Sequence, residues 1–152
     1  HRLAERGELL THHKDEVVLT LMKLDSVIEK DFAIVKTEDT LGKLIQVVSK
    51  SKRNIFPVIN CENELVGIVL LDNIREIMFQ RDRYEDTYVS DVMISPPEIV
   101  DVTDTMDRVM KKFNMSGAWN LPVMKEGKYV GFVSKSKIFN SYRDLLVQVS
   151  EY

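Results

Sequence analysis

Basic residues do not dominate this 152-residue chain. Its 21 Lys and Arg stand against 24 Asp and Glu, a formal net charge of −3, and without a basic stripe there is no electrostatic case for a nucleic-acid partner. Long apolar runs are missing too. The greasiest stretches, Val66 to Leu71 and Val17 to Leu24, are too short or too interrupted to cross a bilayer, which takes about 20 apolar residues. With a single cysteine, Cys61, the chain cannot close a disulfide within itself and suits a reducing cytosol. That thiol reads as an exposed turn residue, since no neighbouring His or helix start activates it. His12 and His13 are adjacent and diverge on a helix, and His1 lies at the chain end, so no metal site is expected. No nucleophile, base and orienting group recur at a recognisable spacing, and no enzyme activity is expected. The chain opens on His without a secretory signal and reads as a piece of something longer.

What the chain does have is a repeat. Phe56-Pro57-Val58-Ile59 followed by Val66-Gly67-Ile68-Val69 is answered by Leu121-Pro122-Val123-Met124 followed by Val130-Gly131-Phe132-Val133. Upstream, Ile34-Val35 and Glu38-Asp39-Thr40-Leu41 are answered by Ile99-Val100 and Thr103-Asp104-Thr105-Met106 at a constant offset of about 65 residues. The offset drops by one only in the turn, where Asn60 to Leu65 faces the shorter Lys125 to Tyr129. A slip confined to a turn is what duplication tolerates. Each copy alone, at roughly 60 residues, would bury only about 60% of its unfolded surface, so the two are expected to share an interface and a cleft.

Local signals give each copy the order strand, helix, strand, strand, helix. Residues 1–16 read as a connecting arm, 17–80 as the first unit, 81–86 as a polar linker around Tyr84, and 87–152 as the second unit. Thr11 or Asp15 would cap a helix from about Glu16 to Leu24, expected to dock on the first half. Ala33 to Lys36 reads as a short strand, Asp39 or Thr40 as the cap of a helix burying Leu41, Leu44, Ile45 and Val48, and Leu65 to Leu71 as a strand. Asp72 would then open a helix. In the second copy a short helix over Tyr88 to Met93 precedes the Pro96-Pro97 break, and Gly127 marks the hairpin turn. The fold class is α/β (α+β), two β-α-β-β-α half-domains related by a pseudo-two-fold axis.

A hydrophobic-Pro-Val strand, a turn, Val-Gly-Ile/Phe-Val and a helix, repeated once over about residues 17 to 149, resembles a tandem pair of cystathionine-β-synthase (CBS) domains, a regulatory module. The arm Arg2-Leu-Ala-Glu-Arg-Gly-Glu-Leu-Leu-Thr11, running through Asp15 to Leu24, looks like the cytosolic segment after the last membrane helix of prokaryotic CLC-family chloride channels and chloride/proton antiporters. The resemblance implies a module at the cytoplasmic face of the plasma (inner) membrane, joined to its own transmembrane chloride-transport domain, stabilising a homodimer, with no chemistry of its own. The alternative it leaves open is an adenosine-nucleotide sensor that regulates another transporter or a metabolic enzyme.

In nucleotide-binding members the glycine of the second hairpin strand is followed by two apolar residues, Thr or Ser, two of any type, and Asp. The carboxylate suits ribose because it accepts from both hydroxyls. The first copy has Leu70 for the hydroxyl and Asn73 for the carboxylate, with Asp72 one place early and expected to cap its helix. The second keeps the hydroxyl as Ser134 but puts Lys137, which has no acceptor, where the carboxylate belongs. The resemblance therefore implies weak or absent binding of ATP, ADP or AMP, with any site built from Arg53, Asn54, Ser134, Lys135 and Lys137, whose cations would make one mouth basic. A second cleft, at Asp72, Asn73 and Trp119, is expected to be empty. Trp119 is either a stacking surface or a packing residue, and the methionines Met78, Met106, Met110 and Met115 either fill cores or line a subunit interface.

Overall fold

Two hairpins of sequence-adjacent strands, each crossed by an isolated bridge from a segment far away in the chain, organise the fold. The structure, a computed structural model, describes residues 17–19 and 21–150, with side chains to residue 148. The arm, its capping Thr11 and Asp15, and all three histidines lie outside the described residues. The first half holds helix α1 (Leu41–Lys50), strands β1 (Ile55–Ile59) and β2 (Leu65–Leu70) and the short helix α2 (Leu71–Ile74). Short helix α3 (Val89–Val92) leads to β3 (Val100–Asp101), α4 (Met106–Ser116), β4 (Asn120–Lys125), β5 (Lys128–Ser134) and the terminal helix α5 (Lys135–Ser150).

The duplication is visible in the caps and registers. Thr40 and Thr105 each accept, at 3.2 Å, the N–H three residues on, from Lys43 and Arg108, satisfying donors left open at the starts of α1 and α4. Strands β1 and β2 pair antiparallel with a bulge at Val58/Ile59, and β4 and β5 do so with a bulge at Val123/Met124. The hairpin turns differ as their lengths do. Asn63 takes φ 61° in the first, whereas Glu126 and Gly127 take 51° and 78° in the second, the consecutive left-handed pair of a tight two-residue turn.

The strand expected over Ala33 to Lys36 is reduced to one parallel bridge, Val35 to Val58. The Val35 N–H donates to Pro57 O at 3.0 Å and the Ile59 N–H to Val35 O at 2.9 Å. It ends there because the Lys36 N–H turns to the Asp39 carboxylate at 2.9 Å. Asp72 does not cap α2: the N-cap is Leu70, without a side-chain bond, and Asp72 instead pairs with Arg75 at 2.9 Å.

The larger departure concerns the segments that introduce each half. Residues 17–19 and 21 are helical, but Val18, Met22, Leu24 and Val27 are buried against Val109, Phe113, Leu121 and Val133 of the second half rather than against the first. Reciprocally, Val89 joins the first half's core with Leu41, Leu44, Phe56 and Val69. The backbones cross as well. Glu29 and Phe132 exchange both N–H···O bonds, at 2.8 and 2.9 Å, and Ile94 and Ile68 exchange theirs at 2.8 Å each. Each half is thus completed by the segment that precedes the other. A third apolar cluster, Phe32, Ile55, Ile68 and Phe132, joins the two sheets.

Candidate functional site

The crossing backbones dictate the repeated glycines. A Cβ on Gly131 would stand 2.4 Å from the Glu29 carbonyl oxygen, and one on Gly67 3.0 Å from Met93 Sδ and 3.1 Å from the Ile94 carbonyl oxygen. Close approach of a second backbone, rather than a turn, excludes a side chain at Gly131 and crowds one at Gly67.

Between the halves lies a cleft of about 710 Å³. Ile55, Ile68, Leu70 and Ile94 give it an apolar floor, and Trp119 and Asp72 flank it with Lys52, Arg53 and Asn54. Symmetry-related contacts hold its rim: the Leu71 N–H donates to Asn54 O at 2.9 Å, and the Lys135 N–H to Trp119 O at 3.0 Å. Trp119 is 69% exposed, with the Lys135 ammonium 5.2 Å from its ring centre, a cation against the negative face of the ring. A half-apolar slot flanked by one exposed aromatic, the Asp72 carboxylate in its pair with Arg75 and the Lys52 ammonium can take a planar, polar ligand.

The grouping expected from sequence is not the one observed. Arg53 and Asn54 line the same cleft as Asp72 and Trp119, while Ser134, Lys135 and Lys137 are absent from its lining. Asn73, though exposed, is not among the lining residues either. Ser134 Oγ accepts the Lys137 N–H at 3.1 Å, so it caps α5, and it donates to the Glu29 carboxylate at 3.3 Å. Nor is Arg53 an unpaired cation. Its guanidinium lies 2.8 Å from Glu29, bonds Asp31, and stacks 4.4 Å above the Phe32 ring. The bond from Arg53 holds the Asp31 carboxyl below the ordinary carboxylate range, and the acceptor from Glu29, then Asp31, raises the guanidinium still further. The basic mouth expected from Arg53 is therefore neutralised by two carboxylates.

Glu29 and Phe32 are the residues that sequence reasoning missed. They fall inside the first unit, between the helix expected to end at Leu24 and the strand expected from Ala33, where no local signal marks them, and only the register that sets Glu29 beside Phe132 brings Glu29 to Ser134 and Phe32 to the Phe132 ring. Among the described residues no group of three His, Cys, Asp or Glu is arranged to hold a metal, and no helix is long and apolar enough to cross a membrane.

Comparison with known proteins matches residues 24–80 and 89–144 to the CBS domain model. Inosine-5'-monophosphate dehydrogenase of Methanocaldococcus jannaschii is 28% identical over 82 residues, 54% of this chain and 16% of that enzyme, so the chain spans about a sixth of that relative's length. The crystal structure of CbpB in complex with c-di-AMP superposes with a TM-score of 0.74 at 19% identity, covering 92% of this chain and 97% of that one. The CBS domain of the bacterial CNNM/CorC family Mg2+ transporter does so with a TM-score of 0.72 at 14% identity, covering 84% of this chain and 79% of that one.

Proposed function

This chain belongs to the CBS-domain family as a tandem pair, and from that premise we propose that it is a regulatory module that takes an adenine-type nucleotide between its halves. One observation carries the reading: the cleft of about 710 Å³ places an exposed Trp119, an apolar floor and the Asp72 carboxylate within one site. The base would stack on Trp119 and against Ile68 and Ile94, Asp72 would accept from the ribose hydroxyls, and Lys52 would face phosphate. Because the cleft is lined from both halves, a ligand that fits one angle between them better than another shifts that angle by its differential affinity. The partner surface then reads the change.

For the parent we propose a CLC-type chloride channel or chloride/proton antiporter, with the module at the cytoplasmic face beneath its transmembrane domain and stabilising its homodimer. The arm Arg2 to Thr11 supports this by its sequence resemblance. A second reading, a nucleotide sensor on another transporter or a metabolic enzyme, is supported by the likeness to the Mg2+ transporter's CBS domain and to the dehydrogenase. The gene sequence upstream of His1 separates the two, since only the first requires a run of about ten spans of some 20 apolar residues each.

Calorimetric titration of ATP, ADP, AMP and cyclic di-AMP tests the cleft. The expected result is binding by at least one of them that weakens about tenfold or more, 1.4 kcal/mol, in Asp72→Ala and in Trp119→Ala. Affinity untouched by both substitutions but lost in Ser134→Ala would move the site, and no heat or melting shift with any of the four would leave a scaffold without a ligand.

A further inference from the structure

The charge that a ligand meets in the cleft is set by the partners of its lining as much as by the lining itself. Lys52, Arg53 and Asp72 are the charged residues that line it. Asp72 pairs with Arg75 at 2.9 Å, so the two cancel. Arg53 is held by two carboxylates, Glu29 at 2.8 Å and Asp31 beside it, and that trio carries one negative charge. Lys52, which among the described residues has no carboxylate partner, supplies one positive charge against it. The balance is zero. The other polar residues of the lining, such as Asn54, Ser95 and Asn120, are neutral, and the Lys135 ammonium stands outside it against the Trp119 ring at 5.2 Å.

A cleft of that balance suits a ligand with few charges. A phosphomonoester brings a charge of about −2 at neutral pH, which Lys52 can meet in part. Each further phosphoryl group adds negative charge for which the lining holds no cation. Arg53 is not in reserve for it. Swinging the guanidinium onto a phosphate would leave the part-buried Glu29 carboxylate without its ion-pair partner and give up the stack on Phe32 at 4.4 Å, an uncompensated loss. Asp31 would meanwhile face the ligand as a like charge, because its bond from Arg53 holds its carboxyl below the ordinary range and so ionised at neutral pH.

We propose that the cleft selects its ligand by charge, taking a nucleoside monophosphate in preference to the triphosphate, and that Asp31 sets this preference by keeping Arg53 engaged and adding a negative charge beside it. The preference rests on the nucleotide reading above and adds to it which nucleotide is taken.

Calorimetric titration of AMP and of ATP into the 152-residue chain at low salt, with magnesium chelated so that ATP keeps its full charge, tests it. The native chain should bind AMP about fivefold or more tightly than ATP, and the gap should shrink as salt is raised. In Asp31→Asn the gap should narrow by about twofold or more, through tighter binding of ATP. Asp107→Asn, which removes an equal charge at an exposed carboxylate lining a different cavity, should leave the gap as it is. ATP bound as tightly as AMP by the native chain would overturn the preference and leave the nucleotide reading standing. A gap unmoved in Asp31→Asn, or moved as far in Asp107→Asn, would overturn the role of Asp31. Binding of neither nucleotide would remove the nucleotide reading and the preference with it.

Discussion

Substituting Gly131 with Ala should destabilise the protein far more than the same change at Gly67, although the two occupy matching places in the repeat. The added Cβ at 131 would stand 2.4 Å from the Glu29 carbonyl oxygen, against an ordinary carbon-to-oxygen approach of about 3.3 Å. One backbone must therefore retreat by about 0.9 Å. The retreat acts on the two bonds that tie Glu29 to Phe132, at 2.8 and 2.9 Å, each contributing about 1 kcal/mol. Forced repacking adds about 1 to 3 kcal/mol, while relieving a strand of glycine returns about 0.5 kcal/mol. The balance is a loss of about 3 kcal/mol, or a fall of roughly 1.5 M in urea midpoint for a slope of about 2 kcal/mol/M. At Gly67 the nearest atoms are the flexible Met93 sulfur at 3.0 Å and the Ile94 carbonyl oxygen at 3.1 Å, and a shift of a few tenths of an ångström keeps the change within about 1 kcal/mol. Urea unfolding followed by circular dichroism and Trp119 fluorescence reads both. A Gly131→Ala chain as stable as the native one, or less affected than Gly67→Ala, would refute the crossing of the Glu29 segment over β5.

The equivalent caps should behave alike: Thr40→Ala and Thr105→Ala each remove an acceptor at 3.2 Å from a helix start and should cost about 1 kcal/mol apiece, adding in the double variant because they serve different halves; costs below about 0.3 kcal/mol by denaturant titration would show the caps idle. Acid should weaken the fold through carboxyls held low, Asp31 by the Arg53 bond and Asp101 by the Thr103 hydroxyl. Because the unfolded chain binds their protons first, this stabilisation is present above the ordinary carboxylate value near 4 and disappears as pH falls through the lower native values. Urea midpoints should fall with pH below about 4, less steeply in Asp31→Asn, and a midpoint that rises on acidification would contradict the assignment.

Much of the architecture was legible because the signals were local. Thr40 at the head of Leu41, Leu44, Ile45 and Val48, and the turn residues of both hairpins, act over three or four positions and are written in the sequence. The exchange of introducing segments was not, since nothing in the helical spacing of Val17, Leu21 and Leu24 says which half their face will meet. Its trace was present all the same: Gly67 and Gly131 sit mid-strand without a positive φ, a place where glycine marks a bulge or the close approach of another backbone, and both occur here. The site was half legible for the same reason. Arg53, Asn54, Asp72 and Trp119 lie near strand ends that pattern reading finds, whereas the fate of Arg53 depended on Glu29 and Asp31, 24 and 22 residues earlier, reached only through the sheet.

The crossed segments mean that the exposed turn Arg81–Arg83 is not a seam. Severing the chain there would give an N-terminal fragment carrying the strip that finishes the second half and a C-terminal fragment carrying α3, which finishes the first. Neither fragment could close its own flank, yet the two should reassemble without a covalent link, so the duplication has yielded a clasp whose parts melt and re-form together.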